Sequence, residues 1–300
     1  MPINSIDSLQ DQLAARNYLA DRTLATTLYL GLKLNKPILL EGEAGVGKTE
    51  VAKALAELLD TELIRLQCYE GLDINHAVYE WNYPRQMLYI RMHEAQHDHE
   101  ALKDIFGSEF LIKRPLLQAI ENARERAPVL LIDEIDRSDT EFEAYLLELL
   151  SDWQITIPEI GTLRAQNPPA TIITSNRTRE IHDALKRRCL YHWIDYPSFQ
   201  KEYQIVARKV PEAREALMRQ VVAFVQELRL KDLYKLPGIA ETLDWATALV
   251  ALDATALDED KVNETLGALL KYQDDVEKIR GPVANELVHR ATTAAYSVKT

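Results

Sequence analysis

Residues 38–59 read ILLEGEAGVGKTEVAKALAELL. Ile38-Leu39-Leu40 is a short apolar run bounded by turn residues, the pattern of a strand buried on both faces of a parallel sheet. From Thr49 onward, TEVAKALAELL is built of strong helix formers. The eight residues that join them, Gly42-Glu43-Ala44-Gly45-Val46-Gly47-Lys48-Thr49, satisfy G-x-x-x-x-G-K-[ST] between a strand and a helix, the context that motif requires. The glycines let the backbone turn its N–H groups inward around a phosphate, and the following helix presents its positive end to that anion. Lys48 is expected to reach the β- and γ-phosphates of ATP, and the Thr49 hydroxyl to ligate Mg²⁺. Gly42 through Thr49, with the adjoining Glu50, are therefore the expected nucleotide-binding positions.

Outward from this loop the chain alternates. Leu63–Leu66, Val129–Asp133, Ala170–Ser175 and Leu190–Tyr196 read as further strands. Residues 11–34, 115–126 and 139–151 read as helices, and 152–165 (DWQITIPEIGTLRA) as a hairpin around Pro-Glu-Ile-Gly. Gln67 to Arg91 is irregular and unusually aromatic. Beyond Pro197 strand signals cease and amphipathic helical segments fill the rest. The expected fold is α/β, a parallel sheet flanked by helices over residues 1–198, followed by an all-α domain over 199–300.

Composition narrows the class. The 300 residues are 47% hydrophobic and 27% charged, enough for a sizeable core. A formal net charge of -12 repels phosphate backbones on average, so a nucleic-acid partner is not expected. Cys68 and Cys189 form no CxxC pair and read as reduced structural thiols. No basic-then-apolar leader and no apolar run long enough to span a bilayer occurs, which points by elimination to the cytoplasm.

VLLIDEID at 129–136 supplies the second half of the site. An apolar strand ending in Asp133-Glu134 places two carboxylates at the carboxyl edge of the sheet, where ligands of α/β sheets gather. Asp133 is expected to hold Mg²⁺ together with Thr49, and Glu134 to act as general base toward the attacking water.

With these residues in hand the chain resembles the AAA+ ATPases, P-loop NTPases, and within them the MoxR group, over nearly its whole length. TIITSN at 171–176 supplies Asn176 at the position of sensor 1, which by that resemblance orients the lytic water. DALKRRCLYHWIDYP at 183–197 resembles the stretch in which arginines precede the last strand, and the resemblance makes Arg187 or Arg188 an arginine finger acting on a neighbouring subunit. DEIDR resembles the MoxR signature DEINR and brings Arg137 along. The hairpin at 152–165 and the aromatic stretch EGLDINHAVYEWNYPRQ at 70–86 occupy the places of the pre-sensor-1 and helix-2 insertions. In the family these face the ring's pore and touch clients; the alternative is that Tyr79, Trp81 and Tyr83 pack in a core.

One position departs from the pattern. Where the family carries a sensor 2 arginine, the matching stretch LPGIAETLDWATAL at 236–249 has none, and Ala240 or Glu241 stands there, with Lys235 nearby. In this the chain resembles the subgroup typified by CoxD, linked to maturation of molybdenum-containing carbon monoxide dehydrogenase. The resemblance implies a homo-hexameric ring using ATP and Mg²⁺, a partner with a von Willebrand A-type domain, and a metalloenzyme client. It also places the adenine near Tyr18.

HEAQH at 93–97 matches H-E-x-x-H, the signature of zinc peptidases. The motif continues Asp98-His99-Glu100, so the stretch is polar nearly all round, unlike a helix lining a cleft floor. No third ligand follows at a recognised spacing. His93, His97 and His99 read as an exposed helix rim. Two other enzyme classes use the same phosphate loop. A small-molecule kinase would need a basic lid, and a nucleic-acid motor an appended basic module; neither is written in the sequence.

Overall fold

The computed structural model describes residues 3–95, 105–121 and 127–297. The described chain divides into two compact units, one of residues 1–12, 21–41 and 49–193, the other of 13–20, 42–48 and 194–300.

The first unit is built on a sheet in the order β2-β5-β8-β1-β9, with β1 at Ile38–Gly42, β2 at Leu63–Gln67, β5 at Val129–Asp133, β8 at Ala170–Ser175 and β9 at Leu190–Ile194. The β2–β5, β5–β8 and β1–β8 ladders are parallel. Every residue of β1 and β5 is buried, which is why both read as unbroken apolar runs rather than alternating ones. Helices α2 (Arg22–Leu34), α3 (Lys48–Leu59), α6 (Pro115–Ile120), α7 (Thr140–Asp152) and α8 (Asp183–Arg188) alternate with these strands. The core gathers Leu39, Ile64, Leu130, Ile132 and Ile173 from the sheet with Leu116, Phe142 and Leu146 from the helices.

Three local readings need correction. Residues 11–34 are not one helix. The chain forms α1 at Ile6–Ala14, turns through Asn17 in the left-handed region (φ 61°), and restarts as α2. The restart is set by Asp21, whose carboxylate accepts the Leu24 N–H at 2.8 Å and caps α2. The described part of the helix expected at 115–126 is α6, and 122–126 lie outside the described residues.

The stretch 67–91 is more regular than its sequence suggests. It holds a short helix α4 (Ile74–Ala77), strand β3 (Tyr79–Trp81) and helix α5 (Tyr83–Ala95), and β3 pairs antiparallel with β4 (Leu111–Lys113). Trp81 is buried, edge-on to Tyr79 at 6.1 Å and to Phe106 at 5.3 Å between ring centroids. On α5, by contrast, Tyr83, Met87, Leu88 and Met92 are exposed. Of the insert's rings, Trp81 thus packs in the core, while Tyr83 on the neighbouring helix is exposed. His93 also lies on α5, half-buried against the Tyr89 ring at 4.2 Å, because residues four apart share a helix face. It is not a rim residue; His97 and His99 lie outside the described residues. The expected hairpin forms as β6 (Gln154–Ile157) and β7 (Gly161–Arg164), closing at Gly161 with φ 104°.

The second unit contains α9 (Phe199–Lys209), α10 (Glu215–Leu228), α11 (Ile239–Ala251), α12 (Glu259–Leu269), α13 (Gln273–Ile279) and α14 (Pro282–Ser297). Leu217, Val221, Phe224, Trp245, Leu266 and Leu287 form its core. The loop residues 42–48 group with these helices rather than with the sheet residues they follow.

Candidate active site

In the loop 42–48 the glycines are required by geometry. Gly45 (φ 79°) and Gly47 (φ 95°) lie in the region that L side chains rarely adopt, and a Cβ on Gly42 would stand 2.3 Å from the Ile194 carbonyl oxygen. Lys48 is buried, and its Nζ donates to the carbonyls of Gly42 at 2.7 Å and Glu43 at 2.6 Å, which holds the amine along the inside of the loop. Val46 is buried, Glu43 is exposed, and Ala44 and Gly45 form the tip. Glu50 lies in the first turn of α3, 3.2 Å from Lys53. Tyr18, half-buried in the turn after α1, belongs to the same unit as the loop.

Within the sheet unit, Thr49 at the start of α3 reaches the end of β5: its hydroxyl donates to Asp133 at 3.0 Å. Asp133 is almost fully buried and is held by three further donations, one from the Thr174 hydroxyl at 2.6 Å and two from the Arg65 guanidinium at 2.6 and 3.0 Å. Beside it Glu134 adopts φ 56°, ψ 52°, a left-handed conformation that costs a non-glycine residue about 1–2 kcal/mol. Its backbone N–H donates to the Thr174 hydroxyl at 2.9 Å, which fixes the turn. The Glu134 carboxylate accepts from Gln67 at 3.0 Å and Arg137 at 3.2 Å, and the Asn176 amide lies 3.5 Å away. Asn176 is in turn positioned by Asp136, which is buried and accepts the backbone N–H groups of Asn176 at 3.2 Å and Thr178 at 2.8 Å.

The structure therefore brings together Thr49, Asp133, Glu134 and Asn176, four of the residues singled out from sequence. It adds Arg65 and Gln67, which no motif marked, and Asp136 and Thr174, which lie inside the VLLIDEID and TIITSN runs without a role expected of them. The alternation of β2 puts Arg65 and Gln67 on one side of that strand, and β2 pairs with β5 in register, Gln67 opposite Asp133. That register could have been found only by knowing the strand order. The anionic field of the cluster registers on Cys68, whose N–H donates to the Asp133 carbonyl at 2.8 Å. Burial first, and then the charges of Asp133, Asp136, Glu134 and Glu143, push its thiol up to about 12. A buried carboxylate facing a hydroxyl is a hard-oxygen donor set that fits Mg²⁺, although the Arg65 guanidinium already balances the Asp133 charge.

Arg187 and Arg188 close α8, and both are exposed. Arg188 donates to the Ser151 hydroxyl of its own chain, whereas Arg187 makes no hydrogen bond or ion pair among the described residues. At the position of the missing arginine, Ala240 and Glu241 begin α11, and Lys235 is exposed with its N–H donating to Asp275 at 3.2 Å.

Residues 37–189 match the family described as "AAA domain (dynein-related subfamily)", about half of the chain. The chain belongs to that family. Its AAA domain makes it an ATPase that uses ATP with Mg²⁺. Among its relatives are an uncharacterized protein of Staphylococcus epidermidis (strain ATCC 12228), 24% identical over 217 residues, 70% of this chain and 74% of that one. An uncharacterized protein of Staphylococcus aureus (strain USA300) is 25% identical over 203 residues, 65% of this chain and 69% of that one. Two solved structures share the fold. A proline-to-glycine mutant of Thermotoga maritima RuvB covers 98% of this chain and 87% of its own at 18% identity and TM-score 0.51. A protein of Cytophaga hutchinsonii provisionally named as an ATPase covers 95% and 93% at 16% identity and TM-score 0.50. The parallel sheet and helical C-terminal region of the AAA fold are those expected from the sequence. Among the described residues no helix is long and apolar enough to cross a membrane.

Proposed function

We propose that this AAA ATPase works as a MoxR-type homo-hexameric ring that hydrolyses ATP at subunit interfaces to remodel a client protein. The observation that carries the reading is the cluster at the end of β5, where the Thr49 hydroxyl meets the Asp133 carboxylate at 3.0 Å and Glu134 lies beside Asn176. Lys48 would bind the phosphates, and Thr49 and Asp133 would hold Mg²⁺, which when bound would supply Lewis-acid neutralisation of phosphate charge. Glu134 accepts a proton from water as the water oxygen attacks the γ-phosphorus; the bond to the bridging oxygen breaks and ADP departs with that electron pair. Asn176 orients the water. Gln67 and Arg137 also hold the Glu134 carboxylate, so the base must exchange these partners for the water before it can act.

Arg187 is the better candidate for the trans-acting finger, because Arg188 is engaged with Ser151. Such a group is worth about 10³–10⁵ in rate, or roughly 4–7 kcal/mol of barrier, enough to make hydrolysis depend on assembly. The DEIDR run, the β3/β4 insertion and the β6/β7 hairpin support the MoxR assignment, and the exposed apolar face of α5 suits client contact. A von Willebrand A-type partner, a metalloenzyme client as in the CoxD subgroup, a boundary near residue 198 and an adenine site near Tyr18 complete the proposal. The test is phosphate release from Mg·ATP across a wide protein concentration range. Specific activity that rises with concentration supports a trans-completed site; activity independent of concentration down to the monomer overturns it.

A further inference from the structure

We infer that the first turn of α11 supports the phosphate loop through a peptide-to-peptide hydrogen bond, doing with backbone what an arginine on that helix would do with charge. The inference rests on residues 42–49 being the phosphate site. The Ala240 N–H donates to the Gly45 carbonyl at 3.2 Å. The approach is so close that Gly238 at the helix start has no room for a side chain, while Gly45 is held to glycine by its φ of 79°. A Cβ on Gly238 would stand 2.7 Å from the Ala44 carbonyl oxygen and 2.8 Å from the Gly45 carbonyl carbon. A Cβ on Gly45 would stand 2.8 Å from Glu241 Oε2. These are the residues of the loop tip and of the helix start, and both lie in the same compact unit.

The helix start is held from behind. Glu241 reaches back to accept the Gly238 N–H at 2.9 Å. The Arg229 Nε donates to the Pro237 carbonyl at 2.8 Å, while its other nitrogens fork onto Glu202 at 2.6 and 2.8 Å. Glu202, fully buried, also accepts from Thr242 at 2.7 Å and Gln226 at 2.6 Å. Arg229 stacks over the Tyr196 ring at 4.9 Å. An ion pair of this kind fixes Pro237–Thr242 as a rigid stop against the loop.

The chemical consequence follows from the trans peptide. The chain has no cis bond among the described residues, so the Gly45 carbonyl and the Val46 N–H of the same peptide point in opposite directions. A donor on the carbonyl from α11 leaves the Val46 N–H directed away from the helix. It also polarises that peptide, strengthening the N–H as a donor by about 10–30%. Gly238, Ala240 and Arg229 are thus positioning residues for phosphate binding.

The test compares Ala240→Pro, which deletes the N–H where a helix's first turn tolerates proline, with Ala240→Ser, which keeps it. Gly238→Ala, which must push the helix off the loop, is the second variant. Affinities for ADP and for adenosine are measured by competition against a fluorescent adenine nucleotide, alongside unliganded melting temperature. The expected result is a loss of about 3- to 10-fold in ADP affinity for Ala240→Pro, a larger loss for Gly238→Ala, and wild-type affinity for Ala240→Ser. Adenosine affinity should not move; melting temperature should match the wild type in Ala240→Ser and fall by a few degrees in Gly238→Ala, which displaces packed backbone, while both variants stay folded. Undiminished ADP binding in Ala240→Pro and Gly238→Ala overturns the inference and leaves the nucleotide site standing. An equal loss for adenosine also overturns it, since the effect is then not on phosphate. Failure of the wild type to bind ADP at all sinks the underlying site reading instead.

Discussion

Glu134 sits in a strained backbone conformation at the end of a strand that is otherwise regular, and its carboxylate is held by Gln67 and Arg137. Strain of this kind persists where the surroundings over-determine it, here through the Thr174 hydroxyl and the buried Asp133. Glu134→Gln keeps the size and one oxygen to accept from Gln67 and Arg137, but its amide cannot accept a proton. Hydrolysis should fall by about 10²–10⁴ while ATP affinity is retained, read by phosphate release against equilibrium binding. Loss of both together would mean that the residue holds the fold of the site rather than the proton. The two thiols give a second reading at this scale. Burial pushes both Cys68 and Cys189 up to about 12 from an ordinary value of 9.0. The folded state therefore keeps its protons where the unfolded chain loses them, so the contribution to stability is whole below pH 9 and is lost as pH rises toward 12. Native protein should resist iodoacetamide at pH 8 and react at both cysteines in urea; fast labelling of the native state would contradict the burial.

At the scale of elements, what was legible in the sequence was whatever leaves a local signature. Buried parallel strands read as apolar runs, the phosphate loop reads as spaced glycines, and the β6/β7 hairpin reads through Pro-Glu-Ile-Gly. The break between α1 and α2 did not read, because apolar spacing continues across it; Asn17 and Asp21, which make the break, are single polar residues that a helix face also tolerates. Asp21→Ala should therefore remove the α2 cap and cost about 0.5–2 kcal/mol in urea unfolding. The partners of Asp133 and Glu134 did not read either, because Arg65 and Gln67 meet them only through the pairing of β2 with β5, some seventy positions apart in the chain as a rough count. The buried Arg229–Glu202 pair is a third case of a contact made by packing alone. Arg229→Met strands the Glu202 charge and should destabilise the helical unit by about 3–5 kcal/mol, while adding Glu202→Leu should recover much of it. A double variant no more stable than the single one would show that the pair contributes more than charge compensation.

At the scale of the whole molecule the question is whether one chain completes its own site. On the proposed reading the AAA domain contributes Lys48, Thr49, Asp133, Glu134 and Asn176, yet Arg187 stands exposed at the end of α8 with no partner among the described residues. An arginine that acts on the next subunit's nucleotide makes a defect in one copy repairable by another, and the arithmetic is specific. Arg187→Ala alone and Glu134→Gln alone should each be nearly inactive. Mixed in equal amounts and allowed to exchange, a site is competent when its own chain carries Glu134 and the neighbour carries Arg187. In a head-to-tail ring with random order that holds for about one quarter of sites, so activity should recover to about a quarter of the wild-type level. Arg188→Ala, whose side chain is already engaged with Ser151, should need no such rescue. Phosphate release from the mixture, measured after subunit exchange, decides it. No recovery from two inactive variants would place the action of Arg187 within its own chain, a fully active Arg187→Ala would place it outside the reaction, and recovery with Arg188→Ala instead would exchange the roles of the two arginines.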